Sequence, residues 1–259
     1  IKNVEAYKAV TFVHVETHSG LLNDIKAVSE MVKEKGPLFI VDVASAVGTL
    51  PIDCKDLGVD LCVMASHYAF SAPPGLAIVA LSRRAKEEVA KSNYNGYYMS
   101  IKVWEDLLSR GIFPYTIAAN NVFALNRSLK EMTKEGLDSV YMRHKASNEA
   151  ALEGIRALGL KPIVKDVRFS APGVTAVNSP IRPEKILSFA WEKLGVMLGA
   201  LATSNYNVVE IGHMGYTAQR RFVSEGIAAL GAALRFNGID VDIEEAVRKV
   251  NETFNEYNL

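Results

Sequence analysis

Short, nearly unbroken apolar runs alternate with amphipathic stretches through the first eighty residues, and few architectures accept that pattern. Residues 10–15, 37–41, 61–65 and 76–81 are such runs. A strand with one wet face alternates apolar and polar residues, whereas a strand covered on both faces reads as a continuous apolar run. Residues 21–35 set Leu22, Ile25, Val28 and Val32 on one helical side and end at Gly36. Residues 82–92 form a charged helix with Ser82 as its N-cap. Strands separated by helices imply a parallel sheet with helices on both faces. After Gly136 the pattern changes. Residues 118–135 and 138–158 read as long helices closed by Gly136 and Gly159. Strands follow at 161–164 and 174–177, a helix at 183–194, a strand at 207–212, and amphipathic helices at 217–236 and 242–254. A boundary near residue 136 is therefore expected, with a large α/β domain over 1–136 and a smaller α+β domain over 137–259.

Charge and motif content remove several function classes. Lys+Arg and Asp+Glu are both 29, so the chain has no global positive field for nucleic acid. No apolar run approaches the ~20 residues of a membrane span. The two cysteines, Cys54 and Cys62, make neither a disulfide framework nor a CxxC zinc site, and a reducing, cytoplasmic setting is expected. There is no GxGxxG after a strand, no GxxxxGK[ST] and no HExxH. His14 and His18 are four apart but bracket a strand end and a turn. They read as a core histidine and a loop residue, with metal binding as the alternative. The opening Ile1-Lys2-Asn3-Val4-Glu5-Ala6 is no signal peptide and reads as a start partway into a domain.

Four segments carry more specific information. They are His14-Val15-Glu16-Thr17-His18-Ser19-Gly20, Val41-Asp42-Val43-Ala44-Ser45-Ala46-Val47-Gly48, Ala65-Ser66-His67-Tyr68-Ala69-Phe70-Ser71-Ala72-Pro73-Pro74-Gly75-Leu76-Ala77, and Ile211-Gly212-His213-Met214-Gly215. In this order and spacing the chain resembles the class V pyridoxal-phosphate aminotransferases of the alanine–glyoxylate and serine–pyruvate type. The resemblance implies fold-type I, a large domain with a mostly parallel sheet and a C-terminal α+β domain, assembled as a dimer or larger oligomer. It implies that Asp42 pairs with the cofactor's pyridinium nitrogen, which keeps the ring an electron sink. It places Ala44 against the ring face and the Thr17 hydroxyl beside the cofactor. Thr116, in Phe113-Pro114-Tyr115-Thr116, matches the threonine that reaches the phosphate of the neighbouring subunit.

The departures from the family are chemical. Tyr68 stands at the position of the Schiff-base lysine, and a phenol forms no imine with an aldehyde. The nearest lysines in sequence are Lys55 and Lys86. His67 takes a position usually held by Gln. Glu210 takes the position of the arginine that binds the substrate carboxylate, where a glutamate repels. Measured against the family, the front third is absent, which predicts two open sheet edges, covered either by a second chain or by the rest of a longer gene product of which this chain is a portion. Three readings follow. The first is a degenerate homo- or hetero-oligomeric subunit beside a lysine-bearing partner. The second is a repurposed enzyme or binder of a metal or pyridoxamine-type ligand, using His18, His67, Tyr68, Glu210 and Asp42. The third is an aminotransferase completed by another chain's lysine. Pyridoxal or pyridoxamine phosphate is expected to bind non-covalently at most, or not at all; neither nucleic acid nor membrane is an expected partner. Arg83-Arg84 and Arg220-Arg221 read as solvated pairs, and residues 93–98 as an aromatic interface loop.

Overall fold

The computed structural model describes residues 4–33, 36–203 and 206–259. The chain opens with β1 (Ala9–Val13), turns through the short pair β2 (Val15–Glu16) and β3 (Leu21–Leu22), and continues through α1 (Ile25–Lys33), β4 (Leu38–Asp42), β5 (Leu61–Ala65), β6 (Ala77–Leu81) and α2 (Arg83–Lys91). The first sheet has the order β1-β4-β5-β6. The first three strands run parallel, with Val10 opposite Phe39 and Val41 opposite Cys62. Phe39, Val41 and Cys62 are buried, as their continuous apolar runs require. β6 runs antiparallel to β5, with Met64 opposite Ile78. The segment between them is too short for the crossover that a parallel neighbour needs.

Helix α1 starts later than its apolar spacing suggests. Leu21 and Leu22 pair with Glu16 and Val15, and Asp24 caps the helix by accepting from Ala27 N at 3.0 Å. The expected end at Lys35 lies outside the described residues, as do Ile1 to Asn3. The cap at Ser82 forms as expected, its hydroxyl accepting from Ala85 N.

Asp60 is the buried polar pivot of this sheet. Its carboxylate accepts from Phe39 N at 2.9 Å, Ser82 Oγ at 2.8 Å and Arg84 Nε at 3.0 Å, with a further bond from Arg84 Nη2. Arg84 also donates to the Gly36 and Pro37 carbonyls, at 2.8 Å each. Burial raises the Asp60 pKa, but the bonds from Arg84, Phe39 and Ser82 outweigh it and hold the carboxyl below its ordinary value. Arg84 thus stays 47% exposed, as a surface pair implies, yet is anchored to Asp60 and two carbonyls. Arg220, half-buried, bonds Asn255 Oδ1 at 2.7 Å.

The remaining elements are α3 (Ile101–Ser109), α4 (Ala119–Glu135), α5 (Leu137–Ala157), β7 (Val174–Asn178), α6 (Pro183–Leu194), β8 (Gly199–Ala202), β9 (Asn207–Gly212), α7 (Arg220–Phe236) and α8 (Ile243–Glu256). The second sheet is antiparallel, with the order β7-β9-β8. Residues 161–164 do not form the expected strand. Pro162 has no N–H to give a ladder, and only an isolated bridge to Val177 remains. Helices α5, α7 and α8 cross closely at Gly154, where a Cβ would stand 2.8 Å from Val250 and 3.0 Å from Ile227. Among the described residues, no helix is long and apolar enough to cross a membrane.

Two buried histidines tie segments of the C-terminal part to one another. The His144 ring bonds Val140 O through Nδ1 at 2.7 Å and accepts Gly215 N through Nε2 at 2.8 Å. His213 bonds Pro172 O through Nδ1 at 3.0 Å and Thr175 Oγ1 through Nε2 at 2.8 Å. Each ring thus has one donor and one acceptor nitrogen, the neutral form. Burial pulls His144 down to about 3 and His213 to about 4. Arg143 sits beside them, donating to Gly215 O and to Glu135 Oε1.

These contacts set two stability predictions. Asp60→Ala leaves the Phe39 N–H without its acceptor, and a loss of about 2–3 kcal/mol is expected in denaturant unfolding. Arg83→Ala, at a 94% exposed side chain, is expected to change stability by less than about 0.5 kcal/mol. Both histidine pKa values are depressed in the folded chain, so their contribution is complete above pH ~6.5 and is lost as pH falls toward 4. Between pH 7 and 5 the two sites together are expected to cost on the order of 3–4 kcal/mol. A flat stability profile across that range overturns their neutral assignment.

Candidate functional site

Parallel strands release their loops at one end of the sheet, and there the chain gathers its polar groups. β1 ends into His14, β4 ends at Asp42, and β5 leads into Ser66, His67 and Tyr68. The first two ends are tied directly, since His14 N donates to Asp42 O at 3.0 Å.

His14 is a structural residue. It is 4% exposed, its Nδ1 bonds Asn23 O at 3.1 Å, and its carbonyl accepts from Asn23 N. Burial lowers its pKa. The chain then turns so that His18 stands outside, with Nδ1 2.7 Å from Glu210 Oε1. The His14–His18 spacing therefore serves two separate jobs. Thr17 is half-buried in the same turn, its carbonyl accepting from Gly20 N. Asp42 is exposed, and its Oδ1 accepts from Ala44 N at 2.9 Å, which fixes the carboxylate's direction at the strand end. Ala44 follows, half-buried.

The loop from Ser66 to Leu76 is held at many points. Ser66, fully buried, donates from Oγ to Pro73 O at 2.7 Å and accepts from Leu76 N at 3.3 Å. Asn121 Nδ2 donates to Pro74 O at 3.0 Å, and Ser128 donates to Phe70 O. Within this frame Tyr68 has φ +55° and Ser71 φ +56°. For a bulky residue such as tyrosine that conformation is a true outlier, with a cost on the order of 1–3 kcal/mol. Tyr68 remains 37% exposed. The His67 ring stacks on it at 4.3 Å between centroids and 27° between planes. His67 Nδ1 is buried with no hydrogen-bond partner among the described residues. Such an orphaned buried polar atom is costly unless something else satisfies it.

The second half supplies the other wall. A Cβ at Gly215, where φ is +60°, would fall 1.9 Å from Ser71 Oγ and 2.7 Å from Ala69 O. Glycine alone admits this approach, and Tyr216 N donates to Ser71 Oγ at 2.8 Å across it. β9 carries Glu210 upstream of this contact, opposite Ala176 and Gly199. The Glu210 side chain is only 15% exposed and lies against Gly199, whose missing side chain makes room for it. Thr116 stands apart, exposed on the segment between α3 and α4.

Sequence reasoning missed Ser66, Ser71 and Arg143, which position the loops. A small polar residue closing an apolar run was the available signal for Ser66. Nothing local marks the other two, because their partners are far away in the chain. Chemically, the site offers a fixed carboxylate at Asp42, an imidazole–phenol pair at 67–68 and a hydrogen-bonded imidazole–carboxylate pair at 18–210. Asp42 fits a protonated pyridine-type nitrogen. Tyr68 does not fit a covalent link to an aldehyde.

The model of the family "Aminotransferase class-V" matches residues 2–200. The chain is 30% identical over 220 residues to the soluble hydrogenase 42 kDa subunit of Anabaena cylindrica, covering 84% of this chain and 57% of that protein. It is 31% identical over 244 residues to the serine–glyoxylate aminotransferase of Methylorubrum extorquens, covering 90% and 60%. The crystal structure of pyridoxamine–pyruvate aminotransferase from Mesorhizobium loti aligns with a TM-score of 0.91 at 27% identity, covering 97% of this chain and 66% of that one. The chain thus spans roughly three-fifths of the length of these relatives. By this match and by its α/β architecture, the chain belongs to the class V aminotransferases, a fold-type I family that depends on pyridoxal phosphate.

Proposed function

We propose that this chain is an aminotransferase-type subunit that keeps the cofactor-ring end of the family site but does not transaminate on its own. The observation that carries this reading is Tyr68. The position that resemblance assigns to the lysine holds a phenol, in a strained backbone conformation, on a loop fixed by at least four hydrogen bonds. The amine that bonds the cofactor and moves the proton is missing there. Glu210 supports the same conclusion. It offers a carboxylate, already paired with His18, where a substrate carboxylate needs a cation.

Within this reading pyridoxal or pyridoxamine phosphate binds non-covalently. When bound, it supplies a ring that withdraws electrons from an attached substrate carbon. Asp42 would hold the ring nitrogen's proton, with Ala44 and Thr17 as the residues lining the ring. Thr116, on its exposed segment, serves a neighbouring subunit. The unsatisfied His67 Nδ1 favours a second reading, in which the altered pocket has been turned to a ligand of its own.

A partner is part of the proposal. Among the described residues, β1 and β6 each have a single neighbour in their sheet, and Val13 and Val79 on them are 44% and 41% exposed. Open apolar edges invite another strand. A homo- or hetero-oligomer satisfies them, and the word "subunit" in the name of the Anabaena relative agrees with such a role.

Borohydride treatment with pyridoxal phosphate is expected to leave no pyridoxyl adduct on the chain by peptide mass spectrometry. A stoichiometric adduct on one lysine ends the non-covalent reading. Asp42→Ala is expected to weaken pyridoxamine phosphate binding about 10- to 100-fold, the value of one charge-assisted hydrogen bond. Tyr68→Lys alone is expected to trap the cofactor without restoring amino-group transfer from alanine to glyoxylate. Turnover in that variant shows that Glu210 is no obstacle. Native mass spectrometry of protein from its own source checks the partner, and a lone monomer overturns it.

A further inference from the structure

A pair of nucleophilic side chains, one buried and one half-buried, lies outside the site. Cys54 opens the turn before β5, and Cys62 is the second residue of that strand. Their Sγ atoms are 3.4 Å apart, and both are free thiols. The two are not equivalent. Cys62 is 2% exposed and locked in the sheet opposite Val41, whereas Cys54 is half-buried. The turn that presents Cys54 is held from several directions. Val59 N donates to Cys54 O at 2.8 Å, and Asp53 Oδ1 accepts from Lys55 N and Asp56 N. From α1, Ser29 donates to Leu57 O and Lys33 to Asp56 O. The backbone therefore holds both sulfurs facing each other without a bond between them.

We propose that Cys54 and Cys62 are an oxidation site, with Cys54 as the entry thiol and Cys62 as the resolving one, which closes to an intramolecular disulfide. A disulfide needs the sulfurs at about 2.05 Å, so they must approach by a little over 1 Å. With a peroxide as oxidant, the Cys54 thiolate attacks one peroxide oxygen and the O–O bond breaks. Cys54 becomes a sulfenic acid, and one water leaves once its proton is supplied. Cys62 sulfur then attacks Cys54 sulfur and loses its proton as the S–O bond breaks, which releases a second water. Two thiols lose two electrons, one peroxide gains them, and the balance closes. The thiol contact also sets the order of events. The hydrogen bond from Cys62 pulls Cys54 down to about 7, and the same contact together with burial pushes Cys62 up. Cys54 therefore carries the charge, and Cys62 reacts once a sulfenic acid faces it. Val41 opposite Cys62 directly precedes Asp42, so the bond forms beside the strand that carries the ring-nitrogen carboxylate.

The test uses the full chain, reduced and then treated with hydrogen peroxide, denatured, alkylated and weighed intact. Because the chain has only these two cysteines, assignment is direct. The expected product lacks two hydrogens, takes up no alkylating agent, and returns to two labelled thiols on reduction. Cys62→Ser is expected to accumulate a dimedone-reactive sulfenic acid at Cys54, and Cys54→Ser to stay unoxidised at Cys62. The initial rate is expected to rise about tenfold from pH 6 to pH 8, whereas an ordinary thiol near 8.5 climbs about eightyfold. Two fully alkylated cysteines after treatment, a sulfinic acid at Cys54 beside an intact Cys62, or a disulfide between two chains would each overturn the proposal. The wild-type measurement needs no variant to fold.

Discussion

A single carboxylate organises the far end of the first sheet. Asp60 sits where β4 and β5 begin and β6 ends, and it accepts from the backbone of one strand and from side chains that follow another. Its own N–H and C=O complete the links, to Phe39 O and from Ser82 N. Parallel strands have no hairpin to set their mutual register, so an internal polar anchor does that work here. Arg84 extends the anchor to the carbonyls of Gly36 and Pro37, at the entry to β4. With one end of the sheet fixed, the opposite ends of β1, β4 and β5 come level with each other. The cluster of polar groups at those ends follows from that levelling.

The second half contributes by contact rather than by chemistry. Gly215 lies on the loop that carries Tyr68, and His144, Arg143 and His213 secure the backbone around Gly215 from behind. The interior of that half is apolar, with Ile155, Ile186, Ile227, Leu230 and Leu234 almost wholly covered. The neutral histidines are among its buried polar residues, with Ser147, Asn148 and Thr175, and each ring has both nitrogens engaged. This pattern keeps charge out of the core while placing two backbone segments where glycine alone can meet them.

Much of this was legible in the residues. The strands at 61–65 and 207–212 and the helix at 183–194 follow from apolar runs and from Pro183 at a helix start. The motif segments located the strand ends that carry Asp42, His67 and Tyr68. What local pattern could not supply was contact across distance. Leu21 and Leu22 fit a helical stripe, but pairing with Val15 and Glu16 outweighed it. Ser100 caps α3 in a stretch rich in tyrosine and asparagine that reads as loop. Arg84 looks like any helix-surface arginine until Asp60, twenty-four residues earlier, is seen beneath it. His18 and Glu210 meet across 192 residues, which no periodicity announces.

The antiparallel course of β6 has a consequence for the site. Because the chain returns at once after β5, residue 68 sits on a tight return rather than at the head of a crossover helix. Its backbone is held by neighbours' main-chain and serine contacts, none of which involves its side chain. The address is thus independent of the group that occupies it. The course of the return is set by its own backbone and serine contacts, whatever side chain position 68 presents to the site.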